Sequence, residues 1–143
     1  MDRASFILCA LTPAQCAAYS PVQVQKLFFL LDKGIGAYVG GPYFNFEPYH
    51  YGPFDQEVYS TLEELAAEGL VEIELEPRGR WNTYRLTPEG QQKGEELLER
   101  LPEEVQRFIR NVSEFVRKLS FAQLVSAIYK AYPEMKANSV FQG

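Results

Sequence analysis

Apolar positions in the middle of the chain predict a helix that is followed by a β-hairpin. The helix begins after Asp55, a good N-cap, and ends at Gly69, with Val58, Leu62 and Leu65 on its apolar face. Residues 70–75 and 81–86 then have the composition of two short strands. A helix, a hairpin and a new helix from Pro88 form the element order of a winged helix.

The other apolar patterns predict helices on both sides of this unit. Helical spacing extends over residues 3–11, 21–34, 88–100, 102–118 and 120–132. Residues 21–34 are apolar nearly all round, so this helix is expected in the centre of the domain with Lys26 on its polar edge. The aromatic stretch 43–51 predicts a short strand beside the hairpin.

These elements predict a single domain, 1–143, that is mainly α with a small β-hairpin. Residues 20–100 are expected to form a winged helix-turn-helix-like core, and residues 101–143 a C-terminal helical extension. The last two helices carry an apolar seam that includes Phe115 and Phe121. Either the rest of the domain or a second copy is expected to cover it, so a homodimer through these helices is one prediction.

The composition is that of a folded globule, with 46% hydrophobic and 14% aromatic residues. The longest apolar run, residues 27–31, is far too short to cross a bilayer, so we expect a cytoplasmic protein. Two cysteines do not form a disulfide framework, and one histidine without a Cys-x-x-Cys pair makes a metal site improbable. No cofactor is expected.

The charge distribution is more informative than the net charge of −5. Residues 35–76 contain no Lys or Arg and nine acids. Because acids near phosphate groups add repulsion, the helix after Asp55 is a poor candidate for the DNA major groove. We therefore predict a surface that binds a protein partner, formed by the acidic helix and the aromatic turn before it, with Tyr49, His50, Tyr51, Asp55, Glu57, Tyr59 and Glu64. The alternative is that the aromatic residues only fill the core around the turn.

The predicted hairpin, or wing, carries the opposite charge. Arg78, Arg80, Trp81, Arg85 and Lys93 form a small basic and aromatic patch that suits a phosphate backbone or an acidic partner. The alternative is that these arginines only keep a sheet edge soluble, while Trp81 fills the core.

Lys26, Gly52 and Pro53 complete the set of candidate residues. Gly52 is expected to adopt a positive φ and Pro53 to fix the turn. Lys26 is either a functional cation or a structural one, paired in either case with an acid such as Asp55 or Glu57.

Several of these motifs together resemble one protein family. Residues 25–27, the turn 51–54 with residues 57–59 after it, and the late pair 132–133 are similar to the Panacea domain family of phage-associated and antitoxin-like proteins. Residues 68–71 and 84–90 are similar to the helix end and wing exit of winged-helix regulators. The matches span about residues 20–135. The resemblance implies an antitoxin-like partner or a regulator and implies no catalytic residue.

We therefore predict a non-enzymatic winged-helix regulatory or protein-interaction module, antitoxin-like or a phage-related adaptor. Its partner is expected to be a toxin or a regulatory protein. We expect no binding to a membrane. The alternative is a DNA-binding transcriptional regulator that uses the basic wing. An enzyme is not expected, because no nucleophile elbow, metal-ligand set or phosphate-binding glycine loop accompanies His50.

Overall fold

The structure, a computed structural model, describes residues 1–141, and it is mainly helical with two small antiparallel sheets. The helices are α1 (Arg3–Leu11), α2 (Pro21–Ile35), α3 (Gln56–Ala67), α4 (Pro88–Glu99), α5 (Glu103–Lys118) and α6 (Phe121–Ala131). The strands are β1 (Glu47–Tyr49), β2 (Gly52–Phe54), β3 (Val71–Leu75) and β4 (Asn82–Leu86). The predicted fold class, mainly α with a small hairpin, is confirmed.

The helix ends follow the capping signals in the sequence. At the start of α2, the Ser20 hydroxyl accepts a hydrogen bond from the Gln23 backbone amide, and the Gln23 side chain accepts one from the Ser20 amide. At the start of α3, the Asp55 carboxylate accepts from the Glu57 amide at 2.9 Å. Beyond its end, Gly69 adopts a φ of +76°.

Helix α2 lies at the centre of the hydrophobic core, as its sequence predicts. Its fully buried side chains are Val24, Leu27, Phe28, Phe29 and Leu31. Helix α5 packs along α2, and α1 packs against α4. The fold therefore surrounds α2, so the polar side chains near its N-terminus come close to several other elements.

The aromatic stretch does not form a strand beside the wing. Strands β1 and β2 pair with each other in a separate hairpin, with Tyr49 opposite Gly52, while β3 pairs with β4. The free edge of β4 is taken by Tyr19, whose amide and carbonyl both bond to Tyr84. The Asp32 carboxylate of α2 accepts the Tyr43 amide at 2.9 Å, which holds this stretch on the side of α2.

The apolar seam of α5 and α6 is covered mostly by the chain itself. Ile109 and Val116 of α5 are fully buried against the core, and Ser113 bonds to the buried Tyr19 hydroxyl at 2.6 Å. Two residues of the seam are not covered within residues 1–141. Phe115 is 38% exposed, and Phe121, the first residue of α6, is 44% exposed. A homodimer through these helices stays a prediction.

Candidate functional site

An open groove of about 620 Å³ lies where α2, both hairpins and the start of α6 meet. Its aromatic walls come from Tyr49, Tyr51, Phe54, Tyr59, Trp81 and Phe121. Nine large hydrophobic side chains are exposed within residues 1–141, and four of them line this groove: Tyr49 (49%), Tyr51 (44%), Trp81 (40%) and Phe121 (44%). The aromatic groove therefore joins the aromatic turn and the wing, which the sequence predicts as two separate binding surfaces.

Lys26 lies at the floor of the aromatic groove. It is only 3% exposed, and its Nζ donates a hydrogen bond to the carbonyl oxygen of Pro53 at 3.3 Å. The predictions of a polar-edge position and of an ion pair with Asp55 or Glu57 are both wrong. Residues 1–141 hold no ion pair to Lys26, since Asp55 caps α3 and Glu57 pairs with Arg3.

The surroundings of Lys26 change its protonation. Burial lowers the pKa of its ammonium group from 10.5 to about 7, because desolvation disfavours the charged form. No nearby acid counteracts this effect in the structure. At neutral pH the groove floor therefore holds a cation that exchanges readily with the neutral amine.

Gly52 and Pro53 bring the β1–β2 hairpin down onto Lys26. Gly52 has a φ of +105°, which side chains with a Cβ rarely adopt, and a Cβ there would lie 3.4 Å from Lys26 Cε. The same Cβ would lie 3.4 Å from Tyr129 Cε1 of α6. The hairpin therefore approaches α2 and α6 closely, and Pro53 presents its carbonyl to the ammonium.

Gln25, which the sequence offered only as part of the family-like run 25–27, lines the groove and joins α2 to the start of α3. The Gln25 amide bonds twice to the backbone of Asp55: Oε1 accepts from the Asp55 amide and Nε2 donates to its carbonyl, both at 3.0 Å. Gln25 is 2% exposed. The available sequence signal was a glutamine within a largely apolar helix, because an amide that becomes buried requires partners. This joint ties the start of α3 to α2.

Tyr59 connects the groove to the wing. Its ring meets Phe54 at 5.8 Å between centroids, as expected of a hydrophobic staple, and stacks on Tyr84 of β4 at 5.7 Å. Burial raises its pKa to about 12, so the hydroxyl stays neutral. Tyr59 is thus half buried in the wall and serves packing as well as the groove surface.

His50 lies in the turn of the β1–β2 hairpin and is exposed. Its ring stacks on Tyr49 at 4.2 Å between centroids, and its carbonyl accepts from the Val140 amide at 2.9 Å. Neither cysteine is near it: Cys9 is buried in the core, and Cys16 contacts Thr87. The imidazole therefore positions a groove wall.

Three glutamates of α3 and the one at its C-cap form an exposed acidic face: Glu57, Glu63, Glu64 and Glu68. Glu57 also pairs with Arg3 at 3.1 Å. Glu63 follows Tyr59, which lines the groove, by four residues on α3, and its charge acts on Tyr84, on which the Tyr59 ring stacks. The predicted residues Tyr49, Tyr51 and Tyr59 thus share one groove, while Glu57 and Glu64 lie on the helix beside it.

The wing carries its cations in pairs with its own acids. Arg80 bonds to Glu76 and stacks over the Trp81 ring at 4.2 Å. Arg85 bonds to Glu72 at 3.0 Å and to Glu74 at 2.9 Å. Arg78 and Lys93 are exposed. The basic patch predicted for the wing is therefore partly neutralised, and Trp81 faces the groove instead of filling the core.

Metal-ligand clusters and membrane-spanning helices are the other features that would bear on function in the part of the chain that the structure describes. Within residues 1–141 no group of three or more His, Cys, Asp or Glu side chains is arranged to hold a metal ion. No helix in that range has the length and apolar character needed to traverse a bilayer. Comparison of the chain with family models, with curated proteins and with solved structures yields no match.

Proposed function

We propose that this chain is a non-enzymatic protein-interaction module that binds a polypeptide segment in the aromatic groove. The observation that carries the proposal is the clustering of Tyr49, Tyr51, Trp81 and Phe121, which are exposed together around one groove. Soluble domains rarely leave such aromatic clusters exposed unless a partner covers them. Tyr and Trp are also the residues that most often dominate binding at protein interfaces.

Charge defines the rest of the partner. Residues 35–76 contain no Lys or Arg, and arginines outside this range pair with Glu57 and with the hairpin glutamates. Glu63 and Glu64 of α3 are exposed, and Glu63 lies one turn after the groove residue Tyr59. A segment with an aromatic or aliphatic anchor and flanking Lys or Arg residues complements both features. An antitoxin-like or adaptor role, as the family resemblance implies, fits this partner chemistry.

DNA binding is the alternative, and the charges disfavour it. Phosphate contacts require Lys and Arg that are available to the duplex. Arg80 and Arg85 already bind glutamates of the same hairpin, and α3 presents acids. Of the predicted wing patch, this leaves Arg78 and Lys93 for phosphate contacts, which is a small footprint.

The winged-helix interpretation belongs to the same proposal. The order α2, α3, β3 and β4, with Tyr19 bridged to the edge of β4, supports it. We also propose a cytoplasmic site of action, which the two free cysteines support because thiols persist in reducing compartments.

The proposal is tested with an array of short random peptides, half tethered by the N-terminus and half by the C-terminus. We expect enrichment of peptides that carry an aromatic or aliphatic residue next to Lys or Arg. Tyr51→Ala should weaken their binding by about tenfold or more, since a central aromatic contact is lost. Glu63→Gln should weaken binding less and reduce its salt dependence. Binding in solution is followed through Trp81, the only tryptophan of the chain.

Matched controls separate the groove from general stickiness. Tyr38 is 84% exposed and lies outside the groove, so Tyr38→Ala should leave binding unchanged, as should Glu104→Gln on α5. If no peptide class is enriched, or if Tyr38→Ala weakens binding as much as Tyr51→Ala, the proposal is wrong. Retardation of random duplex DNA at about 50 mM salt that Arg78→Ala abolishes would instead establish the alternative.

A further inference from the structure

The buried ammonium of Lys26 has unused hydrogen-bonding capacity at the floor of the groove. An ammonium carries three N–H donors, and the structure gives Lys26 one acceptor among residues 1–141, the Pro53 carbonyl at 3.3 Å. The side chain is 97% buried yet lines the groove. Two donors therefore remain for a ligand that enters the groove.

The ligand group that suits this position is an anion. The cost of removing the ammonium from water is already incurred when the chain folds, because burial precedes any binding. Lys26 has no acidic partner among residues 1–141, and a ligand carboxylate would supply one. The attraction between the carboxylate and the ammonium is strong because the aromatic walls lower the local dielectric constant. A neutral ligand gains no such electrostatic attraction.

The position of Lys26 also selects how the anion arrives. The rim is formed by Tyr49 and Tyr51 on one hairpin and by Trp81 on the other. An internal residue whose side-chain carboxylate reaches Lys26 has peptide on both sides, and both segments must cross this rim. At a chain end only one segment must cross it. In a C-terminal residue, moreover, the carboxylate and the apolar side chain share one Cα, so a single residue contacts both the ammonium and the aromatic walls.

We propose that the aromatic groove captures the C-terminal carboxylate of a partner polypeptide, with Lys26 as the anion-binding group and an aromatic or aliphatic last residue between the ring walls. This inference rests on the proposed function, because it names the part of the polypeptide that occupies the same groove. The acidic face of α3 then meets basic residues upstream of that chain end.

Proton uptake identifies Lys26 as the receiving group. With a pKa of about 7 in the free protein, the amine is mostly neutral at about pH 8.5, and a carboxylate binds its protonated form. The other titratable groups around it are phenols, Tyr49 and Tyr51 of the hairpin, Tyr59 of α3 and Tyr129 of α6. His50, beside Tyr51 in the hairpin turn, stacks on Tyr49 and does not itself line the groove. Binding above pH 7 should therefore take up a proton at Lys26.

The test compares N-acetyl-Lys-Leu-Phe with a free C-terminus against the same peptide with a C-terminal amide. We expect the acid to bind about tenfold more tightly or better at pH 7, and its affinity to fall about tenfold per pH unit above pH 7 until the pKa of the complex is reached. Calorimetry at about pH 8.5 in buffers of different ionisation enthalpy should show uptake of close to one proton.

Variants assign the effect. Lys26→Met preserves length and volume and should abolish both the preference for the acid and the proton uptake, while circular dichroism reports the fold. Lys33→Met, at an exposed lysine of the same helix that does not line the groove, should retain both. Equal affinity for acid and amide overturns the inference, as does proton uptake that persists in Lys26→Met.

The source of the carboxylate is tested with two further probes. 3-Phenylpropionate, a free aromatic acid, and N-acetyl-Glu-Leu-Phe amide, with an internal carboxylate, should both bind at least about tenfold more weakly than the free-ended peptide. Binding of either probe as tightly overturns the assignment to a chain end. In the peptide array, peptides tethered by the C-terminus have no free C-terminal carboxylate. If they are enriched as strongly as those tethered by the N-terminus, the inference is wrong while the proposed function stands. If neither half is enriched, the proposed function fails too.

Discussion

Replacement of Gly90 by alanine is expected to lower the free energy of unfolding by about 3 kcal/mol or more, although alanine is the better helix former. In a solvent-exposed helix position this change would stabilise by about 1 kcal/mol. In α4, a Cβ on residue 90 would lie 1.9 Å from the carbonyl oxygen of Leu70 and 2.9 Å from its carbonyl carbon. Backbone atoms cannot rotate away as a side chain can, so α4 must move as a unit.

That movement would break the joint between α4 and the end of α3. The Thr87 amide bonds to the Leu70 carbonyl at 3.1 Å, and the Thr87 hydroxyl bonds to the Gly69 carbonyl at 2.6 Å while capping Gly90. Urea unfolding followed by circular dichroism measures the effect. Gln92→Ala, at an exposed position of the same helix, should stay within about 0.5 kcal/mol of the wild type. A Gly90→Ala chain as stable as the wild type would show that propensity outweighs packing here.

Glycine in α4 illustrates what the sequence does and does not reveal. The start of this helix is predictable from Thr87 and Pro88, because capping and N1 preferences act within a few residues. Gly90 and Gly94 indicate only that the helix is intrinsically weak. Their function is close approach, since a Cβ at Gly94 would lie 2.1 Å from the Thr12 hydroxyl of a segment far away in the chain. Local signals therefore predict the elements but not the contacts between them.

The β1–β2 hairpin shows the same limit. Aromatic composition predicts a strand, but which partner it pairs with depends on edges that form elsewhere. Tyr19 occupies the edge of β4, and Asp32 binds the amides of Tyr43 and Phe44, so the stretch pairs with itself. Neither Tyr19 nor Asp32 carries a sequence signal for that contact.

The candidate site was predictable in its residues and not in its geometry. Tyr49, Tyr51, Tyr59, Trp81 and Lys26 stand out by residue type, whereas their convergence on one groove depends on the fold. Periodicity places Lys26 on the polar edge of α2, because a helix pattern assigns a charged residue to solvent. In the structure β2 covers that edge, with Gly52 and Pro53 directly over the side chain. The Phe121 ring completes the wall from a segment 95 positions later in the sequence.

A buried lysine without an anionic partner opposes folding, so its presence calls for an explanation other than stability. Buried charges are normally paired or replaced by apolar groups, which are often neutral or stabilising by comparison. Functional sites are the places where proteins tolerate such a cost. The proposed capture of a carboxylate supplies that explanation, and it makes stability and binding respond in opposite directions to one substitution.

Lys26→Met is therefore expected to stabilise the chain at low pH while it removes carboxylate binding. The lowered pKa, about 7 in the folded chain against an ordinary 10.5, means that the unfolded chain binds more protons between these values, so the stability of the wild type rises with pH there. The penalty is complete below pH 7, where it amounts to roughly 5 kcal/mol, and vanishes above pH 10.5. The lost hydrogen bond to Pro53 offsets about 1 kcal/mol, which leaves an expected gain of about 3–4 kcal/mol at pH 6.

Urea unfolding of both chains from pH 6 to about pH 10.5 measures this gain, and the difference between them cancels the titration of all other groups. The gain should shrink steadily above pH 7 and be absent at the upper end. Lys33→Met, at an exposed position of the same helix, should change the free energy of unfolding by less than about 0.5 kcal/mol. A Lys26→Met chain that is less stable than the wild type at pH 6 would show that Lys26 holds the fold together. A Lys26→Met chain that is more stable than the wild type and does not bind the free carboxylate would show that the lysine is retained for binding.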